Sequence, residues 1–265
     1  MSGRLYCFAV VAASMGAALD VADLPAPLPG DDALRRIRIG QLAVLCAPTT
    51  ADTVAPKRRA LRTHAAMLDA LHARGTVLPM RFGTLADDEA ALGRVIAAEH
   101  DALVGYLARV AGRSEYALRL SVARGALVEA AMAADPTLAQ RHAALPRAAA
   151  ARQRAAIDLG RHVAEGVARA RRRWEQASLA TLRALGIETV LQAPETDDEI
   201  LRAAVLTNQA ETDALTQALD GRGIEGAPRL PPDLTVRLVG PSPVYSFATI
   251  RLSGLQHGVE MPRCS

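Results

Sequence analysis

Large rings are nearly missing from this chain: among its 265 residues there are one Trp, four Tyr and three Phe. Half of the residues are hydrophobic all the same, so a core of ordinary size must close on small aliphatic side chains. Alanine, about a fifth of the sequence, favours helices while adding little volume to a core. A chain of this length and apolar content forms one large or two modest domains, and is neither disordered nor stapled by disulfides. It carries few flat surfaces for stacking on bases, sugars or planar cofactors.

The formal charge of +3 comes from 31 basic and 28 acidic residues, and Lys57 is the only lysine. So small an excess, carried by arginine, reads as compositional bias rather than a phosphate-tracking stripe. Cys7, Cys46 and Cys264 are widely spaced, with no CxxC and no paired histidines. They read as inert thiols of a reducing, cytoplasmic compartment, without a zinc site or a disulfide framework. Residues 5–19 are uncharged and invite comparison with a short secretory leader. The β-forming run 5–11, behind the single Arg4, is better read as a buried first strand, and no stretch reaches the length of a membrane span.

Short strands and helices alternate through the first third. After the strand 5–11 and a loop with Pro25, Pro27, Pro29 and Gly30, strands are expected at 36–39 and 42–47, joined at Gly40-Gln41. A helix announced by Thr53 and Pro56 runs to Arg74, followed by a strand 77–80. Thr84 to Asp87 reads as a capping-box-like start of one helix reaching Val110. The second part begins with strand 116–122. Helices come next, broken near Pro136 and Pro146, then a long helix 146–185, strands 187–193 and 200–206, a helix capped by Asn208 and Glu211, and strand 234–239. The fold class is therefore α+β in two domains. Residues 1–112 form an N-terminal α/β, modified ferredoxin-like domain, and residues 113–265 a ferredoxin-like βαββαβ domain with a long helix and a C-terminal tail.

Chemistry-bearing constellations are thin. His64 and His72 lie eight residues, about 12 Å, apart along one helix, too far to share an ion, and read as surface or boundary residues. The other histidines have no ligand spacing. Gly221-Arg222-Gly223-Ile224-Glu225-Gly226 fits GxGxxG only superficially, because it follows a helix and lacks the strand–helix context that binds pyrophosphate. No nucleophile elbow occurs, and Arg171-Arg172-Arg173 wraps around its helix instead of forming one stripe. An RNA-recognition face needs aromatics on central strands, where this chain has Leu118, Leu120, Val205 and Leu206.

Two motifs are too particular to be filler. Leu78-Pro79-Met80-Arg81-Phe82-Gly83-Thr84 stands at a strand-to-helix junction, and Gly240-Pro241-Ser242-Pro243-Val244-Tyr245-Ser246-Phe247 follows the last strand. With Leu5-Tyr6 at the start of the chain, these blocks resemble the GvpL/GvpF family of gas vesicle proteins in order and spacing. The resemblance covers nearly the whole chain, although Ala204-Val205-Leu206 stands where the family often has Phe-Leu-Val. It implies the same two-domain fold and a non-enzymatic accessory protein of gas vesicle assembly in the cytoplasm. That protein would bind the hydrophobic shell protein GvpA and further accessory proteins, with no cofactor, metal or nucleic acid. Arg81 and Phe82 are the expected partner-binding residues. Pro79, Gly83, Thr84, Gly240, Pro241, Pro243, Tyr245 and Phe247 are expected to be structural. The competing function is a ferredoxin-like module binding RNA or a small ligand.

Overall fold

The computed structural model describes residues 3–28, 33–146, 148–222, 228–231, 233–248, 252 and 254–257. The chain is divided into two compact units, Met1–Glu115 with Pro241–Ser265, and Tyr116–Gly240. The first unit opens with β1 (Arg4–Ala12) and a short α1 (Ala13–Ala18). It continues through β2 (Arg35–Ile39), β3 (Leu42–Thr49), α2 (Arg58–His72), β4 (Val77–Pro79), β5 (Thr84–Ala86), α3 (Glu89–Ala98) and α4 (His100–Arg109). These strands and a terminal strand, Gln256–His257, make a six-stranded sheet in the order terminal–β5–β1–β3–β2, with β4 also on β1. Every pairing of known register in it is antiparallel.

The uncharged N-terminal run is the middle of that sheet, because a strand buried on both faces needs apolar residues at every position. Tyr6, Phe8, Ala9 and Val11 belong to one core cluster with Met67, Leu68 and Leu71 of α2. Leu5, Cys7 and Val10 point the other way and are equally buried, and α4 also packs on β1. The register slips between Cys7 and Ala9. This bulge places Phe8 and Ala9, adjacent in sequence, in the same cluster.

Three expectations in this unit are corrected. Thr84 does not cap a helix: it begins β5, where Leu85 lies opposite both Tyr6 and Gln256. The cap is Asp88, whose carboxylate accepts from the Ala91 N–H at 2.6 Å. The expected single helix breaks at Glu99 (φ −105°, ψ 14°) into α3 and α4. The α2 helix also starts later than Thr53, at Arg58, after Lys57, which supplies no side-chain cap.

The second unit runs β6 (Ser114–Val122), α5 (Ala126–Ala134), α6 (Pro136–Ala143), α7 (Ala149–Ala184), β7 (Glu188–Gln192), β8 (Glu199–Thr207), α8 (Gln209–Gln217) and β9 (Leu234–Ser242). Its four-stranded sheet has the order β7–β8–β6–β9, which sets the first and third strands side by side at the centre. Leu118, Leu120 and Val122 on alternate positions of β6 pack with Trp174 and Leu182 of α7. Asn208 and Glu211 form the expected capping box of α8. The Gly221–Gly226 loop lies partly, and Cys264 wholly, outside the described residues.

The described residues after Gly240 belong to the first unit. The chain leaves that unit within β6 and returns within β9. Gly240 and Pro241 therefore lie at the end of a strand, and the segment beyond β9 packs back on the first unit.

Candidate functional site

Both singled-out motifs, the second from Pro241 on, lie in the first unit. The first is the turn between β4 and β5, which pair with successive stretches of β1 at Ala9–Val11 and Leu5–Tyr6. Pro79 sits opposite Ala9 at the end of β4. The next N–H, of Met80, donates to the Phe8 carbonyl at 2.8 Å. The Arg81 carbonyl accepts from both the N–H and the hydroxyl of Thr84, at 3.1 and 2.7 Å. Gly83 carries φ +81°, a conformation that side-chain-bearing residues seldom adopt.

His64 of α2 reaches into this turn and is buried. The Met80 carbonyl, 3.1 Å from Nε2, can only accept, so Nε2 carries the proton and donates. Nδ1 of a neutral ring is then an acceptor, and the Tyr6 hydroxyl donates to it at 2.8 Å. The Tyr6 oxygen accepts from the Gly83 N–H at 3.2 Å. Burial pulls the His64 pKa down from 6.5 to about 4, against the pull of its Met80 hydrogen bond, so the ring is neutral near pH 7. Phe8 stacks on it at 5.6 Å and 22°, and Phe82 meets it edge-on at 5.7 Å. Three of the chain's few large rings, Tyr6, Phe8 and Phe82, therefore enclose one imidazole.

This placement divides the two expected partner-binding residues. Phe82 is half-buried with its ring against Tyr6 and His64, while Arg81 is exposed. His64 itself is no boundary residue. Its partner Tyr6 lies 58 positions away in sequence, and the only local signal was a polar residue amid the apolar spacing of Leu61, Met67, Leu68 and Leu71.

The second motif is held by Glu115 and by Arg109 of α4. Glu115 is buried, and its carboxylate accepts from the Ser246 N–H at 2.6 Å and the Ser246 hydroxyl at 2.8 Å. Burial raises its pKa, and the Ser246 bonds partly offset that. The Ser242 hydroxyl donates to the Glu115 carbonyl at 3.0 Å, and the Arg109 guanidinium donates to the Phe247 carbonyl. Val244 and Phe247 are buried. Tyr245 is 45% exposed, and partial burial with the charges of Asp69 and Glu115 pushes its hydroxyl up to about 12. Nearby His72 shares a 2.9 Å hydrogen bond with Ser114. Its pKa is lowered by burial and partly restored by Asp69. Glu115 and Arg109 belonged to no sequence motif, and their role became visible only with the returning segment in place.

The remaining candidates stay apart. Cys7 and Cys46 face each other across β1 and β3 in full burial, which raises both thiols, Cys46 to about 12. Such thiols are poor nucleophiles. Among the described residues, no three His, Cys, Asp or Glu side chains are grouped to hold a metal ion. In the second unit, Arg119 and Arg202 pair with Glu195. Arg171 donates to the carbonyls of Glu199 and Asp197. These arginines brace the β7–β8 loop, and their charge is largely spent there. No helix among the described residues is long and apolar enough to cross a membrane.

Comparison with known proteins accords with this arrangement. A family model described as gas vesicle synthesis protein GvpL/GvpF matches residues 4–249, a span holding both motifs. Gas vesicle protein F of Streptomyces sp. (strain CB03234) is 28% identical over 216 residues, covering 78% of this chain and 84% of that protein. The crystal structure of the gas vesicle protein GvpF from Anabaena sp. PCC7120 superposes with a TM-score of 0.75 at 21% identity, covering 94% of this chain and 100% of the other. That of GvpF from Microcystis aeruginosa gives a TM-score of 0.63 at 20% identity, covering 93% and 99%. The two crystal structures share the fold.

Proposed function

The chain belongs to the GvpL/GvpF family of gas vesicle synthesis proteins, and from that premise we propose that it is a non-enzymatic accessory protein that binds the shell protein GvpA during assembly. Its role lies with gas vesicles, and its place of work is the cytoplasm, where shell subunits would be gathered. The observation that carries the reading is the interlock around His64. The family's most distinctive residues close a rigid turn instead of assembling a nucleophile, a base and a charge stabiliser. A rigid turn with an exposed Arg81 beside the half-buried Phe82 suits a docking point, since rigid surfaces lose little entropy on binding. Arg119 and Arg202 pair with Glu195, and Tyr116, the ring on central strand β6, packs against the core cluster, which weighs against the RNA-binding alternative.

Co-expression with the shell protein, followed by affinity capture of the full chain, tests this reading. Capture of GvpA by the wild-type chain and its loss in Arg81→Glu support both the function and the placement. Failure of the wild-type chain to capture GvpA sinks the function. Undiminished capture by Arg81→Glu sinks only the placement.

A further inference from the structure

At the start of α2 a groove of about 420 Å³ opens in the first unit, lined by Leu28 and by residues 49–51, 53–55, 57, 59 and 60. That volume falls within the range of ligand clefts, about 300–1,000 Å³. Its floor is apolar: Leu28 is buried, and Val54 and Ala60 pack against the core cluster around Tyr6 and Phe8. Its rim is cationic. Lys57 and Arg59 line it, both exposed, and Arg58 and Arg62 stand exposed on the same end of the helix. The nearby acid, Asp52, is paired with Arg4.

This basic rim does nothing for the fold beneath it. The first turn of α2 has no acidic residue and its cap residue, Lys57, makes no side-chain cap bond. Cations there oppose the positive end of the helix dipole. Four neighbouring like charges also repel one another. The chain's only lysine stands among them. Leu61, one turn along, leaves 43% of its surface in water next to the same rim.

We infer that this groove is a docking site for a partner segment in which aliphatic side chains are flanked by carboxylates. The aliphatic side chains fill the floor of Leu28, Val54 and Ala60, and the carboxylates meet Lys57 and Arg59. Charge complementarity selects an acidic partner. Among the described residues no ring lines the groove, so a nucleic-acid strand would find phosphate contacts but no such ring on which to stack its bases. The site is separate from the turn at Arg81, and the inference stands whether or not GvpA docks there.

Fluorescence anisotropy of the full chain tests it, with an end-blocked labelled peptide of two leucines flanked by glutamates. Binding is expected to weaken at least about tenfold in the double variant Lys57→Glu/Arg59→Glu. A comparable loss is expected in Thr53→Trp, which fills the groove without altering its charge. Arg81→Glu is expected to bind as the wild type does. Peptides with glutamine for glutamate, or serine for leucine, are expected to bind far more weakly. Failure of the acidic peptide to bind overturns the inference. So does equal affinity for either control peptide, unchanged binding by both groove variants, or displacement of the peptide by oligouridylate at lower concentration. Melting curves serve as the control that each variant tested is folded.

Discussion

His64 concentrates the residue-scale physics of this protein. An imidazole in an apolar setting is tolerable only if it stays neutral and both nitrogens are satisfied, and Tyr6 and Met80 supply the two partners. Tyr6→Phe keeps the ring packing but leaves Nδ1 without this donor and the Gly83 N–H without this acceptor. A loss of about 1–3 kcal/mol is expected in urea unfolding, with little change in fold. The pH dependence has a definite sign. Since the folded-state pKa lies near 4 and the reference value at 6.5, the unfolded chain binds more protons between them. Stability is therefore full above about 6.5 and falls as the pH drops towards 4, on the order of 3 kcal/mol from this group. His72 is shifted in the same direction. Unfolding free energies measured across that range should fall less steeply in His64→Gln. An unaltered slope would mean that the ring titrates normally in the folded chain.

Among the elements, close backbone approach decides which small residues are irreplaceable. A Cβ on Gly16 of α1 would stand 2.8 Å from the Ala43 Cβ on β3, and neither atom can rotate away. Arg36 fixes the same short helix by donating to the Gly16 and Leu19 carbonyls at 2.6 and 2.7 Å. Gly93 in α3 has open space where its Cβ would be. Gly16→Ala should therefore destabilise by about 1–3 kcal/mol, and Gly93→Ala should stabilise by about 0.5–1 kcal/mol. Thermal melts of the two variants check the opposite signs. Element identity was largely legible beforehand: β1, the β2–β3 hairpin, α7 and the capping box of α8 all follow from local pattern. The misreadings fell where a tertiary partner overrode local preference. Thr84-Leu85-Ala86-Asp87 has a helix start's chemistry, yet Tyr6 on one side and Gln256 on the other draw it into a strand.

For the whole molecule, the important fact is that the chain revisits its first unit. Val244, Phe247, Leu252 and Leu255 are all buried after the return, each worth about 1.5–3 kcal/mol as an upper estimate. The terminal strand also covers the edge of β5. Ending the chain after Gly240 should cost the first unit several kcal/mol and expose that edge to association. A lower denaturation midpoint and concentration-dependent aggregation are expected, and a truncated chain as stable as the full one would refute the account. Composition and periodicity by themselves determined that the protein is mixed α and β, that its core is mainly aliphatic, and where most helices and strands lie. Such features depend on neighbours a few residues away. The blocks carried by Pro79–Thr84 and Gly240–Phe247 pointed to the family, because their residue types meet strict backbone demands. Only the tertiary structure decided that His64 is a buried keystone, that Glu115 and Arg109 latch the second block, and that the chain returns to its first unit after Gly240. Those outcomes depend on contacts such as Tyr6 with His64 and Glu115 with Ser246, spanning 58 and 131 positions. No local pattern encodes them.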